Sequence, residues 1–261
     1  MRSLSIASTG MLAQQLNVEV ISNNIANMNT TGFKKRRAEF QDLLYQNDRP
    51  VGATSSDIGT IVPAGVQVGL GVQTAAVYRI SEQGNMASTD NSLDLAISGE
   101  GYFQVEMPSG ETAYTRAGSF QLSADGEIVT ADGYRLSPSI VIPADATAVA
   151  INTSGEVLVN IDGQVEPQNV GQIQLARFAN EAGLEAVGNN FLMETPASGT
   201  ATTGAAGSAG YGTMLQGFLE TSNVNVVQEI TNLINAQRAY EMNSKVIQAS
   251  DEMLSRLSNL R

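Results

Sequence analysis

Asp90, Asn91 and Asp94 bring three oxygen-bearing side chains into five positions, the donor types of a calcium loop. The spacing lacks the mid-loop glycine and terminal glutamate of such a loop, so a hydrogen-bonded turn is the favoured reading. Lys34-Lys35-Arg36-Arg37 is the basic cluster of the chain, and phosphate binding is the chemistry that four adjacent cations suggest. With no aromatics beyond Phe33 and Phe40 nearby, the run reads instead as a solvated junction. Gly69-Leu70-Gly71 and Gly99-Glu100-Gly101 are glycine pairs without the third glycine and the strand–turn–helix setting of a dinucleotide site. Carboxylates are plentiful enough for a hydrolase pair, but none stands out, and acids beside glycine are mostly turn residues. The chain has no His and no Cys, which removes imidazole bases, thiol nucleophiles and the usual zinc, copper and haem ligands. No catalytic residue, cofactor-binding residue or metal ligand is assigned, no cofactor is expected, and the chain reads as a non-enzyme.

The 261 residues carry 14 Lys+Arg and 26 Asp+Glu, for a net charge of −12. Bulk-charge binding to nucleic acid is therefore disfavoured. The charge is uneven: residues 1–50 have six basic and four acidic groups, 51–216 four and seventeen, and 217–261 four and five. The acidic middle reads as the solvated part, and the nearly neutral ends as the parts able to lie against copies of themselves. The composition, with mean hydropathy −0.06, offers no long apolar run, so membrane insertion is not expected. Met1–Gly10 has one Arg and no continuous apolar stretch, so a cleaved secretory signal is not expected either.

Both ends have helical periodicity. Leu4, Ala7, Met11, Gln14, Val18, Ile21, Ile25 and Met28 recur at alternating three- and four-residue steps, a coiled-coil-like seam. It ends at Asn29-Thr30-Thr31-Gly32, with Gly32 as a left-handed stop. Toward the other end, Val226, Ile230, Leu233, Gln237, Tyr240, Ser244, Ile247 and Leu254 form one seam. Ala239, Met242, Val246, Ala249, Met253 and Leu260 form a second on an adjacent face. A helix that is apolar on two sides needs more than one partner. One alternative is a two-helix hairpin packed on its own chain. Against it, the N-terminal segment is rich in Asn (Asn17, Asn23, Asn24, Asn27) and β-branched residues of mediocre helix propensity. It is expected to order only when a partner supplies the packing. Gln14, Gln237 and the Asn cluster would then set register more than stability.

The middle reads as antiparallel β, with turn dipeptides Ser109-Gly110, Asp125-Gly126, Asp132-Gly133, Ser154-Gly155 and Asp162-Gly163 between alternating runs. Residues 46–75, punctuated by Pro50, Gly52, Pro63 and Gly65, read as an extended β-hairpin arm. The expected fold class is α+β. Residues 1–32 form the N-terminal helix, 33–80 a linker and the arm, and 81–222 a β domain with a flexible loop at 194–212. Residues 223–261 form the C-terminal helix.

Ser22-Asn23-Asn24-Ile25-Ala26-Asn27-Met28-Asn29-Thr30-Thr31-Gly32-Phe33-Lys34 strongly resembles the N-terminal motif of bacterial flagellar rod and hook proteins. Leu93-Asp94-Leu95-Ala96-Ile97-Ser98-Gly99-Glu100-Gly101-Tyr102-Phe103, continued by Tyr114-Thr115-Arg116-Ala117-Gly118-Ser119-Phe120, resembles the family's central motif, with Tyr102 where the family commonly has Phe. Gly217-Phe218-Leu219-Glu220-Thr221-Ser222-Asn223-Val224-Asn225-Val226-Val227 and Gln237-Arg238-Ala239-Tyr240-Glu241-Met242-Asn243-Ser244-Lys245 resemble the entry and middle of its C-terminal helix. Within the family, the length and the arm are most similar to distal-rod members, with proximal-rod and hook subunits as alternatives.

The resemblance implies helical homopolymerisation into a hollow shaft that carries motor torque across the periplasm to the hook. It also implies type III flagellar export without a cleaved signal. The implied partners are sister copies, proximal rod and hook proteins, the outer-membrane and peptidoglycan ring proteins, and the export apparatus. The assembly residues expected are Leu4, Met11, Val18, Ile21, Asn24, Ile25 and Met28 in the first helix. In the last helix they are Val226, Ile230, Leu233, Gln237, Tyr240, Met242, Val246, Ile247, Met253, Leu254 and Leu260. A secreted β-rich adhesin or carbohydrate-binding module is the reading from a different class, and it leaves both end seams without partners.

Overall fold

Two long helices bracket the chain: α1, Arg2–Ala26, and α2, Val226–Ser258, with short strands between them. They belong to a computed structural model that describes residues 2–49, 64–164 and 166–258. Pro50, Gly52, Pro63 and Leu260, singled out above, lie outside the described residues. The chain divides into two units, one of residues 1–25, 36–78 and 225–261, the other of 26–35 and 79–224.

In the first unit, α2 starts where the Asn225 side-chain oxygen accepts the Gln228 backbone N–H at 3.2 Å, an N-cap placed by an Asn-x-x-Gln sequence. Its 33 residues make a rod of about 50 Å at roughly 1.5 Å per residue. The two helices run antiparallel. Ser3 Oγ meets Ser250 Oγ at 3.2 Å, Gly10 lies against the Asn243 side chain, and Asn24 Nδ2 donates to Glu229 Oε2 at 3.2 Å. Beside α1, strand Arg36–Asp42 pairs with Val72–Arg79, and Tyr45–Arg49 pairs with Val66–Gly69. Gly71, at φ +127°, allows the closest approach: a Cβ there would stand 2.2 Å from Thr9 Oγ1, which accepts the neighbouring Val72 N–H.

The second unit is β-rich, and its ladders are antiparallel. All five expected turn dipeptides lie between paired strands. Their glycines take φ between +78° and +86°, a region open to glycine without a Cβ penalty. The largest sheet centres on Tyr102–Glu106, which is flanked by Thr112–Thr115 and Arg135–Ser137 and also pairs with Gln174–Arg177. Smaller ladders join Leu95–Ser98 to Thr213–Gln216 and Met86–Ser88 to Phe218–Glu220. Thr202–Ala205, inside the segment read as a loop, forms a strand on Gln174–Arg177. Its small, glycine-containing sequence masks the β pattern, and the pairing is supplied by a neighbour distant in sequence.

The core of this unit gathers Leu95, Ile97, Phe103, Phe120, Ile128, Leu136, Val157, Ile173, Leu175 and Met214. Phe103 packs edge-on against Phe120 with centroids 5.1 Å apart, a favoured aromatic geometry. Phe103→Ala is expected to lower the unfolding free energy by about 3–5 kcal/mol through lost burial and the cavity left behind. Urea unfolding followed by circular dichroism measures it, and a loss below about 1 kcal/mol would contradict this packing.

Candidate functional site

The basic run does not behave as one solvated cluster. Lys34, read above as part of a solvated junction, is buried in the second unit. Its Nζ donates to Glu220 Oε1 at 2.6 Å and to the Glu82 carbonyl at 2.8 Å. The correction has a plain cause: the balancing charge lies far along the chain, beyond the reach of local composition.

Glu220, 1 % exposed, is also held by Arg116, whose Nε donates to Glu220 Oε2 at 2.6 Å. The Arg116 guanidinium donates further to the carbonyls of Ile97, Gly99 and Gly101. The glycine pair dismissed as a nucleotide loop thus presents two carbonyls to a buried cation. The Gly84 N–H completes the carboxylate's partners at 2.8 Å. Burial alone would push the Glu220 carboxyl up. The charge of Arg116, with hydrogen bonds from Lys34, Arg116 and Gly84, outweighs it and holds the group below the ordinary carboxylate range. For Lys34 burial dominates and draws the ammonium down, although Glu220 pulls it the other way.

Asn223 organises the backbone beside this cluster. Its Oδ1 accepts the Lys35 N–H at 2.7 Å, and its Nδ2 donates to the carbonyls of Ile80 and Glu82 at 3.0 and 2.9 Å. Gly32 donates its N–H to the Glu220 carbonyl at 2.8 Å. Three sequence-distant segments, 32–35, 80–84 and 220–223, are therefore tied to one another and, through Arg116, to the sheet. A cavity of about 440 Å³ opens beside them, lined by Lys34, Tyr102, Arg116, Arg177, Phe178 and Glu181 among others. Burial there pushes the Tyr102 hydroxyl up to about 12, with the nearby charge of Glu181 adding to it. Asp90, Asn91 and Asp94 form a turn: Asn91 Nδ2 donates to Asp94 Oδ1, and Asn91 Oδ1 accepts the Leu93 N–H.

In the first unit the contacts described between α1 and α2 are made by small and polar side chains; Val20 and Ile21 are buried, and several other large apolar side chains are exposed. Of the stripe residues on α1, Ile21 and Asn24 are buried, while Leu4, Met11, Val18 and Ile25 are half-buried; Met28, beyond the helix, is exposed. On α2, Val226, Leu233 and Ile247 are half-buried, whereas Ile230, Gln237, Tyr240, Met242, Val246, Met253 and Leu254 are exposed. Val227 is 76 % exposed, Met242 63 % and, on α1, Leu12 65 %. Gly65 is half-buried. The stripe reading missed Leu12, Val227 and the contact residues Ser3, Gly10, Glu229, Asn243 and Ser250. A second seven-residue repeat, small and polar instead of apolar, was the signal for the contact residues. Among the described residues, no helix is long and apolar enough to cross a membrane.

Replacing Glu220 with Gln keeps its shape and leaves two buried cations without their balancing charge, at an expected cost of about 3–5 kcal/mol. Because the folded carboxyl titrates lower than the unfolded one, its contribution is complete above the ordinary carboxylate range. It is lost as pH falls through the lowered value. Denaturant midpoints across that acid range should therefore fall steeply for the parent and less steeply for Glu220→Gln. Parallel curves would contradict this account.

Three family models match the chain. They are the Flagella basal body rod protein model over residues 4–34, the Flagellar hook protein FlgE/F/G D1 domain over 96–159, and the Flagellar basal body rod FlgEFG protein C-terminal model over 215–260. The flagellar basal-body rod protein FlgG of Caulobacter vibrioides is 61% identical over 100% of both chains. The Agrobacterium fabrum protein of that name is 53% identical, covering 99% of this chain and 98% of its own. The Bacillus subtilis one is 41% identical over 100% of this chain and 99% of its own. The matched segments include Lys34 at one end and Glu220 at the other, and the chain belongs to the flagellar basal-body rod protein family, whose members are structural and not enzymes.

Proposed function

We propose that this rod subunit polymerises helically with sister copies into the distal rod, a hollow shaft that transmits motor torque across the periplasm to the hook. One observation carries the reading: the helix pair leaves Leu12, Val227, Ile230, Tyr240, Met242, Val246 and Met253 exposed. Fully burying a side chain of this kind is worth about 1.5–3 kcal/mol, and the partner of suitable shape available at high local density is another copy of the same helix pair. A repeated head-to-tail contact that does not close generates a filament.

The finer partners follow from the same placement: proximal rod and hook proteins at the two ends, and the outer-membrane and peptidoglycan ring proteins around it. The type III export apparatus would deliver the subunits without a cleaved signal. The helix pair forms within the subunit and gains further burial at the growing tip, a coiled-coil-like packing completed between subunits. The segment carried by the strands at 45–49 and 66–69 serves as an arm that stiffens the shaft. Strand pairing of Tyr45–Arg49 with Val66–Gly69 supports that role.

Met242→Glu places a charge on the outward face without touching a described contact between the helices. It is expected to raise the critical concentration for polymerisation by at least about tenfold, the cost of stranding one charge at an apolar contact, while the circular dichroism of the monomer is unchanged. Normal incorporation of this variant into isolated basal bodies would defeat the proposal. Deleting residues 50–63 should leave polymerisation intact and yield rods that bend more under load in electron micrographs; rods of unchanged stiffness would remove the arm's role.

A further inference from the structure

Each step of seven along α1, from Ser3 to Gly10 to Asn17 to Asn24, is matched by seven back along α2, from Ser250 to Asn243 to Ala236 to Glu229. Contacts occur at three of these levels, and Ala236 at the fourth is buried. The apolar stripes flanking the contact repeat at the same interval. Sliding one helix past the other by seven residues would therefore keep an apolar side chain near many of the apolar positions. Apolar packing by itself does not name one register, and polar contacts choose it: Asn223 ties the chain just before α2 to Lys35, and buried polar groups act within the pair.

The buried polar groups favour one register. Glu229 and Asn24 are both buried, Asn24 to 1 % exposure, and Asn24 Nδ2 is the side-chain donor that reaches Glu229 Oε2. The same Asn24 exchanges hydrogen bonds with the Arg36 backbone, giving Nδ2–H to its carbonyl and accepting its N–H on Oδ1, both at 2.8 Å. The amide is thus also held by contacts that do not involve α2. A slide that carries Glu229 past the end of α1 strands its carboxylate without that amide. The same slide also moves Asn243 off Gly10, where a Cβ would stand 2.9 Å from Asn243 Nδ2. We infer that the Asn24–Glu229 hydrogen bond, seconded by the Gly10–Asn243 fit, is a specificity determinant within the helix pair that favours one antiparallel register. It holds the apolar faces at a fixed phase to whatever they meet. This goes beyond the assembly reading and is tested on the unassembled chain, so its failure would leave that reading standing.

The chain has no cysteine, so introduced pairs report the register directly. Ser3→Cys with Ser250→Cys reports the observed register, and Asn17→Cys with Asn243→Cys reports the slide by seven. Intrachain disulfide formation is followed in full-length monomer under mild oxidation, by mobility and mass. The observed-register pair should close at least about tenfold faster, as expected when sliding leaves a buried carboxylate unsatisfied. In the Glu229→Leu background that preference should fall by at least about threefold, because a leucine packs equally well in either register. Glu229→Gln keeps an acceptor for Asn24 Nδ2 and should retain the tenfold preference, separating the hydrogen bond from mere shape. Equal rates for the two reporters in the parent chain, no cross-link from either, a preference untouched by Glu229→Leu, or one lost with Glu229→Gln would each overturn the inference.

Discussion

A single carboxylate shared by two buried cations is the constraint on which the β unit depends. Lys34 and Arg116 both pair with Glu220 and hold its carboxylate charge, and Glu220 in turn balances the two cations. Such an arrangement adds little net stability over an apolar replacement, because three desolvation penalties are set against the attraction. Its consequence is specificity. The ion pairs bring residues 34, 116 and 220 together, so segments near both ends of the chain meet beside Arg116. Asn223 extends the constraint from charge to backbone by satisfying the Lys35 N–H and the Ile80 and Glu82 carbonyls, groups that burial would otherwise make costly.

The helical unit reverses the usual economy of a soluble protein. An ordinary helical hairpin hides its large apolar side chains between the helices and shows polar ones to water. Here Ser3, Gly10, Asn24, Glu229, Asn243 and Ser250 meet across the pair, and Met242, Val227 and Leu12 face solvent. Small side chains let the helices approach closely, and the polar ones meet at defined levels. In the proposed assembly the binding energy of these exposed apolar groups goes to a contact with another subunit.

Much of this was legible from residue types and spacing. The five turn dipeptides located their hairpins because a left-handed glycine between alternating runs is a local requirement, satisfied by neighbours a few residues away. The long helices declared themselves through their 3.5-residue apolar period, and the missing His and Cys ruled out broad classes of chemistry. The failures share one origin. Lys34 looked solvated because its neighbours in sequence are cations, and its partner Glu220 is 186 positions away. Thr202–Ala205 looked like a loop because its strand character comes from Gln174–Arg177.

Composition and periodicity by themselves determined that this chain is a cysteine-free, acidic α+β protein with sticky helical ends and an antiparallel middle, since each of those properties is set within a window of ten to thirty residues. The tertiary structure alone decided which face of each helix meets the other and which charges are buried together. It also gave the glycine pair at 99–101 its use, two carbonyls aimed at Arg116. Those outcomes depend on groups brought together from opposite ends of the polymer. An apolar period repeats identically at every heptad and a lone charge does not name its partner, so the choice falls to the few polar contacts that fit in only one arrangement.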